Sequence, residues 1–443
     1  MQKLLSKDSK SIDKIYLENY GCSANTHDLE IMLGYLSNHG YIIKNMPEES
    51  DIIIINTCGV KKPTEDRIIN RLKTLGKLNI PIIITGCLPK INLSAIKSSL
   101  PNYAAILDPY SVDNIIQALE YIKKGNYGAK FFSKKTPIKV DLPEERINNL
   151  IKIVPISEGC LGNCTYCCTR FARGRLFSFP IQNITEEVNR AVSEGVTEIW
   201  ITGQDTGSYG KDIGLKLTDL LIDLIKIKGD FIIRLGMMNP NYAKDMIEEL
   251  ISIYQNDKIY KFLHVPIQSG SDRILELMNR QYKVSEVERI IERFRKSFSD
   301  ITIATDIIVG FPTESEVDFN QSIEFVDKAR PDVVNISKFA IRPKTTAGEL
   351  PQIPNKIIKD RSKRLSNLCS KISLDANSKY LNSTQIVYIN KELRKNHFEG
   401  RLRNYKKVLI NQELNLLGKK VHAKIGNTTD RYLEARFLSE IND

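Results

Sequence analysis

The stretch IKIVPISEGCLGNCTYCC, Ile151 to Cys168, decides how the fold reads. Ile151–Ser157 is apolar and β-branched, the pattern of a buried parallel strand. Cys160, Cys164 and Cys167 follow at once, spaced C-x3-C-x2-C. In a β/α barrel, the loop after a strand lies on the carboxyl face, where active sites collect. Downstream, Glu198–Thr202, Phe231–Leu235, Lys261–Pro266, Ile301–Val309 and Val333–Phe339 repeat the strand pattern. Helical periodicity separates them at Ile184–Glu194, Leu217–Ile227, Ala243–Tyr254, Val284–Phe298 and Glu314–Ala329. Six β/α units in about 190 residues predict a parallel barrel, complete or partial.

Upstream, Ile12 to Lys124 alternates in the same way. Lys14–Leu17, Asp51–Asn56 and Pro81–Thr85 read as strands, with helices such as Leu29–Ser37 and Thr64–Leu75 between them. That pattern predicts a doubly wound α/β domain. Gly125–Arg146 is rich in Lys, Pro and Gly and reads as a linker, with a short strand near Lys130–Phe132. Asn355–Ala376 forms a basic amphipathic helix. Beyond it, Gln385–Ile389, Gly400–Arg403, Lys407–Ile410, Lys420–Ile425 and Glu434–Phe437 are short strands with polar turns, which predict a small β-barrel. The chain is thus expected to be multidomain α/β, with domains at 12–124, 146–376 and 377–439.

The chain has 443 residues and a formal net charge of +11. From Ala376 to Asp443 there are 13 Lys and Arg against 7 Asp and Glu, a net +6. Such an excess points to an acidic partner, most often nucleic acid. No apolar run is long enough to span a membrane. The opening MQKLLSKDSKSIDK is polar and carries no secretory signal, so a cytoplasmic protein is expected. In a reducing compartment, eight cysteines point to metal binding or catalysis rather than to disulfides.

Three thiolates on one tight loop can hold three irons of a [4Fe–4S] cluster and leave the fourth iron open. Structural zinc needs four protein ligands, but this loop has no histidine and no second C-x2-C pair exists. Cys22, Cys58 and Cys87 are far apart in sequence, yet each stands just beyond a predicted strand end. Strand ends of an open α/β sheet gather beside a crevice, so the three thiols are expected to converge. Three independently buried cysteines are the alternative. Polar residues also follow the barrel strands: Gln204, Asp205, Arg234, His264, Gln268 and Asp306. They suit a zwitterionic, ribosylated ligand. Helix caps, turns or a satisfied core histidine would account for them as well.

The C-x3-C-x2-C loop, with Tyr166 before its last cysteine, resembles the radical S-adenosylmethionine (SAM) superfamily. The resemblance implies that Cys160, Cys164 and Cys167 ligate a [4Fe–4S] cluster, that SAM chelates its open iron, and that Tyr166 lies near the adenine. Cys168 has no place in that pattern. Gly21-Cys22-x2-Asn25-x2-Asp28, Asn56-Thr57-Cys58-x-Val60 and Gly86-Cys87 together resemble the amino-terminal domain of the methylthiotransferase family. Family members often carry Gln after the first of these cysteines, where this chain has Ser23.

Membership of that family implies a second [4Fe–4S] cluster on Cys22, Cys58 and Cys87, so that six cysteines form the catalytic set. It also implies a partial (β/α)6 TIM-like barrel and a terminal TRAM barrel. Tyr166, Gln204, Arg234, His264 and Asp306 would line the SAM pocket. Thr206-Gly207-Ser208-Tyr209-Gly210-x-Asp212-Ile213-Gly214, Gly236-Met237-Met238-Asn239-Pro240 and Ala172-Arg173-Gly174 look like the archaeal and eukaryotic branch. That branch implies methylthiolation of threonylcarbamoyladenosine at tRNA position 37. Its implied partners are tRNA, SAM, an electron donor of ferredoxin or flavodoxin type, and a sulfur donor. Isopentenyladenosine tRNA or a ribosomal-protein aspartate are the alternative substrates, and a non-catalytic metal-containing RNA-binding protein is the alternative class. Tyr405 and Tyr432 are candidates to stack on bases, or else belong to the barrel core.

Overall fold

The computed structural model describes residues 12–441. Most of the polar opening stretch, on which the expected lack of a secretory leader rests, lies outside the described residues. Ile52-Ile53-Ile54-Ile55 shows how the first domain is built. Ile52 and Ile54 pack on one face of a sheet with Leu29, Met32 and Leu119, while Ile53 and Ile55 pack on the other with Ile68, Leu72 and Ile96. Both faces are buried, as an unbroken apolar strand requires. The sheet has six parallel strands in the order Ile42–Lys44, Lys14–Asn19, Ile52–Thr57, Ile82–Gly86, Ala105–Leu107, Ala129–Phe131.

Two of these strands, Ile42–Lys44 and Ala105–Leu107, carried no sequence pattern, because three residues are too few to show a period. The short strand expected near Lys130–Phe132 is present, but it belongs to the first domain's sheet rather than to a linker. Ala129–Phe131, within the expected linker, pairs with Ala105–Leu107 and completes the sheet.

In the central domain, Ile151–Pro155, Glu198–Thr202 and Ile232–Leu235 form one parallel sheet. Phe262–His264, Thr302–Val309 and Val333–Lys338 form another, and a parallel bridge from Ile233 to Ile259 joins the two into an arc. The result is a partial barrel. Ile199, Ile201, Ile233, Leu235, Leu263, Ile303 and Ile307 pack outward against helices such as Ile181–Ser193, Leu217–Lys226 and Val284–Ser297. Alternation along a strand therefore turns Trp200, Arg234, Phe262, His264 and Asp306 into the lumen.

The final five strands, Thr384–Arg394, His397–Arg401, Lys407–Asn411, Lys420–Thr428 and Leu433–Glu440, close into a barrel around Val387, Phe398, Val408, Val421 and Leu433.

Fully buried charges hold the first two domains together. Lys139 Nζ donates to Asp28 Oδ1 (2.5 Å) and to Glu158 Oε1 (2.6 Å). Arg173 donates to Asp28 Oδ2 (2.6 Å) and to Glu158 Oε1 (2.9 Å). Asp28 belongs to the first domain; Glu158 and Arg173 flank the cysteine loop of the second. A second buried set lies alongside, where Lys152 pairs with both Glu144 and Glu187 and His27 Nε2 stands 3.4 Å from Glu144 Oε2. Glu30 beside it accepts from the Ile147 amide (3.1 Å), and burial pushes its carboxyl up to about 7.

Two outcomes follow from these charges. Lys139→Met leaves Asp28 and Glu158 short of a buried cation and should destabilise the chain by about 3–5 kcal/mol, read as a lower urea midpoint. Glu30 binds its proton more tightly in the folded chain. Its contribution to stability is therefore complete at low pH and is lost as pH rises from its ordinary 4.5 through about 7. Glu30→Gln should flatten that decline and exceed the native chain at pH ~8 by roughly 1–3 kcal/mol, measured by thermal unfolding across the window.

Candidate active site

Cys22, Cys58 and Cys87 stand immediately beyond strands Lys14–Asn19, Ile52–Thr57 and Ile82–Gly86, which are neighbours in the sheet. Chain order reverses between the first two, so the crevice of the switch point opens beside Cys22 and Cys58. Side-chain amides set the loops. Asn56 Nδ2 donates to Asn19 Oδ1 (2.9 Å) and to the Asn25 carbonyl (2.6 Å). Asn25 Nδ2 in turn donates to the Thr57 carbonyl (2.9 Å). Gly86 has φ +88, and a Cβ there would lie 2.2 Å from the Thr57 carbonyl oxygen. Only glycine allows that approach, and it lets the Cys87 amide donate to the same carbonyl (2.8 Å).

The three thiols feel one another. Burial pushes Cys87 up to about 12; Arg173 opposes that, and charge on Cys22 and Cys58 adds to it. Burial also raises Cys58. The Arg173 Nε donates to Cys87 Sγ (3.3 Å) while its Nη2 donates to Asn25 Oδ1 (2.7 Å).

Cys160, Cys164 and Cys167 wind around Gly162, where a Cβ would sit 3.2 Å from Cys160 Sγ and 3.7 Å from Cys164 Sγ. The Gly162 amide donates to Cys160 Sγ (3.2 Å), and Arg280 Nη1 donates to Cys164 Sγ (3.3 Å). Burial pushes Cys160 up to about 12, and nearby Asp205, Cys167 and Cys164 add to that. Burial raises Cys167 too. Among the described residues no three His, Cys, Asp or Glu side chains are placed to share a single metal ion. A cubane takes each thiolate at a separate iron corner, so sets of three thiols suit [4Fe–4S] clusters by donor chemistry.

The short helix Thr169–Arg173 follows the Cys160–Cys167 loop, and its Arg173 reaches Cys87. Cys168 at its start packs with Cys87, Ile91 and Ala172, so it is a core residue between the sites. The first domain also touches the barrel rim directly. Ser23 Oγ lies 2.8 Å from Thr202 Oγ1, and Arg342 Nη2 donates to the Gly59 carbonyl (2.5 Å) and pairs with Glu65.

The rim residues divide. His264 Nε2 and Asp306 Oδ2 meet at 2.6 Å. Asp205 Oδ1 accepts from the Gly207 amide (3.1 Å) and the Asn239 amide (2.9 Å), a capping role, while burial pushes its carboxyl up to about 6. Tyr166 meets Phe311 edge to face, with centroids 6.4 Å apart. Gln204 Oε1, Asp205 Oδ2 and Arg234 Nε are buried with no hydrogen-bond partner among the described residues. Unpaired buried polar atoms converging on a lumen call for a polar ligand, and SAM has the ammonium, carboxylate and hydroxyls to fit.

Arg173 and Arg280 were not found as site residues by reading the sequence. Arg173 stood in the quoted stretch Ala172-Arg173-Gly174, but only the structure ties it to Asn25 and Asp28 of the first cysteine motif. Nothing local marked Arg280. Tyr405, read as either a base-stacking or a barrel-core residue, is half-buried and packs against Tyr260 and Phe262 of the central barrel.

Family models match three segments: Radical SAM superfamily at residues 154–326, Uncharacterized protein family UPF0004 at 14–108, and TRAM domain at 378–438. The chain is 42% identical to the "Probable threonylcarbamoyladenosine tRNA methylthiotransferase" of Pyrococcus abyssi, over 96% of this chain and 100% of that one. It is 34% identical to the "Threonylcarbamoyladenosine tRNA methylthiotransferase" of Drosophila melanogaster, over 97% of this chain and 78% of that one. Among solved structures, the radical S-adenosylmethionine methyltransferase TsrM from Kitasatospora setae superposes with a TM-score of 0.55 at 11% identity, covering 76% of this chain and 75% of that one, a likeness of fold.

The cap on the Thr206–Ser208 turn can be tested apart from any ligand. Asp205→Ala strands two amides and should cost about 1–3 kcal/mol in thermal unfolding, whereas Asp205→Asn keeps an acceptor and most of the stability.

Proposed function

The chain belongs to the threonylcarbamoyladenosine tRNA methylthiotransferases, and on that premise we propose that it adds a methylthio group to C2 of N6-threonylcarbamoyladenosine at tRNA position 37. tRNA and SAM are its substrates and two [4Fe–4S] clusters its cofactors. In our reading Cys160, Cys164 and Cys167 hold one cluster and Cys22, Cys58 and Cys87 the other. The observation that carries this is Arg173, which reaches from the helix after the first thiol loop to Cys87, Asn25 and Asp28. It ties the five-residue helix that follows the first thiol loop to Cys87 of the second set.

When bound, the clusters and SAM supply the one-electron cleavage, the hydrogen abstraction from C2 and the transferable methylthio group, chemistry that acid and base side chains lack. The chain supplies placement. Gln204 and Arg234 offer an acceptor and a cation to the SAM amino-acid end and ribose. The His264–Asp306 pair and Tyr166 wall the same pocket. The first domain covers the rim through Ser23 and Arg342, which excludes water from a site where a carbon radical must survive.

The domains run 12–124, 146–376 and 377–439, with strand Ala129–Phe131 added to the first. The terminal barrel, basic overall, grips tRNA phosphates. An electron donor of ferredoxin or flavodoxin type and a sulfur donor serve the reaction, in the cytoplasm. No helix among the described residues is long and apolar enough to cross a membrane.

Anaerobic reconstitution should load about eight irons per chain, and the triple variant Cys22→Ala, Cys58→Ala, Cys87→Ala about four. That variant should still cleave SAM to 5′-deoxyadenosine yet leave threonylcarbamoyladenosine unmodified in a nucleoside digest of the tRNA. Native iron content in the variant, or native methylthiolation by it, would overturn the assignment.

A further inference from the structure

We infer that Tyr405, carried by the terminal barrel, is a positioning residue for Arg234 in the central barrel, so that the terminal barrel forms the floor of the SAM pocket. The inference rests on the reading above that Arg234 meets SAM. The hairpin turn Leu402–Lys406 joins strands His397–Arg401 and Lys407–Asn411. Its Tyr405 amide donates to the Leu402 carbonyl (2.8 Å), and its Leu402 amide to the Lys406 carbonyl (3.0 Å). Tyr405 itself takes φ +68, an uncommon conformation for a bulky side chain.

The surroundings hold that turn in place. The Lys261 amide donates to the Arg403 carbonyl (3.0 Å), Asn404 Nδ2 to Tyr380 Oη (2.7 Å), and Lys406 Nζ to Asp332 Oδ1 (2.8 Å). The Tyr405 ring thereby enters the base of the lumen, with its centroid 4.9 Å from Tyr260 and 5.0 Å from Phe262.

Arg234 stands directly against it. Its guanidinium carbon lies 5.6 Å from the Tyr405 centroid, 5.5 Å from Phe262 and 5.7 Å from Trp200. Three ring faces orient a guanidinium without neutralising it, and its Nε has no partner among the described residues. A cation held in that way keeps its donors for a carboxylate. Two of the rings belong to the central barrel; the third is supplied by another domain. No hydrogen bond of the Tyr405 hydroxyl is present among the described residues, so the ring face does the orienting and Phe should serve equally.

The test uses reconstituted holoenzyme and equilibrium dialysis of S-adenosylhomocysteine, which keeps the amino-acid carboxylate. Trp200 is the only tryptophan of the chain, so its emission reports on Arg234. Tyr405→Leu fills the socket without a π face, with Tyr405→Met as a second such variant in case the first does not fold. Either should weaken binding about five- to tenfold and shift the Trp200 emission, with tRNA affinity unchanged. Tyr405→Phe should restore both signals. Arg234→Gln, measured alongside, should weaken binding at least as much. Native binding in the Leu and Met variants with weak binding in Arg234→Gln would overturn the positioning role alone. Native binding in Arg234→Gln would overturn the reading of Arg234 beneath it. A Phe variant that behaves like the Leu variant would overturn the part played by the ring face.

Discussion

Two cations and two carboxylates, buried where two domains meet, set the geometry on which everything else depends. Lys139 and Arg173 between Asp28 and Glu158 are almost wholly removed from water. Burying each ion costs several kcal/mol, and mutual attraction offsets that only when the geometry is close and the remaining donors are satisfied. Here they are. The Arg173 fork spends its other nitrogens on Asn25 and Cys87, so the same ion that joins the domains also sits on a thiol. Any sliding of one domain over the other would leave an unpaired buried charge. The position of Cys87 relative to the helix Thr169–Arg173 is therefore discrete rather than adjustable.

The central barrel is open on its side and at both ends, and the other two domains close it. The first domain lies over the carboxyl rim through Ser23, Arg173 and Arg342. The terminal barrel meets the opposite end, where Asn390 Nδ2 donates to Glu198 Oε2 (2.6 Å) and the half-buried Tyr405 ring packs beside Arg234. Polar groups buried within the lumen sit in a lower effective dielectric than groups in water, so they act more strongly on a bound ligand. Sequence position hides this arrangement, since the floor and the first thiol loop are more than 200 residues apart.

Much of the site was legible because its chemistry is local. Three cysteines on one loop need no tertiary information to be recognised, and the strands that precede Cys22, Cys58 and Cys87, neighbours in the sheet, were legible from their apolar runs. Asn25 and Asp28 stood in the motif without a stated reason, and the structure supplies it: both hold Arg173. Arg280 was invisible, because an arginine that reaches Cys164 from a turn 116 residues away leaves no mark on its neighbours. Tyr405 was left between two readings for the same reason. An aromatic in a polar turn carries no mark of the domain it packs against.

The sequence by itself determined the elements and the donor atoms. Apolar runs specify strands through their own periodicity, and thiol spacing specifies a ligand loop through covalent reach. Only the tertiary structure decided the strand order that makes the strands before Cys22, Cys58 and Cys87 neighbours, the recruitment of Ala129–Phe131 into the sheet, and the pairing of Arg173 and Tyr405 with other domains. The physical reason is range. Hydrogen bonding and side-chain period act over a few residues, whereas burial of a charge or a ring depends on whatever part of the chain folds back to cover it.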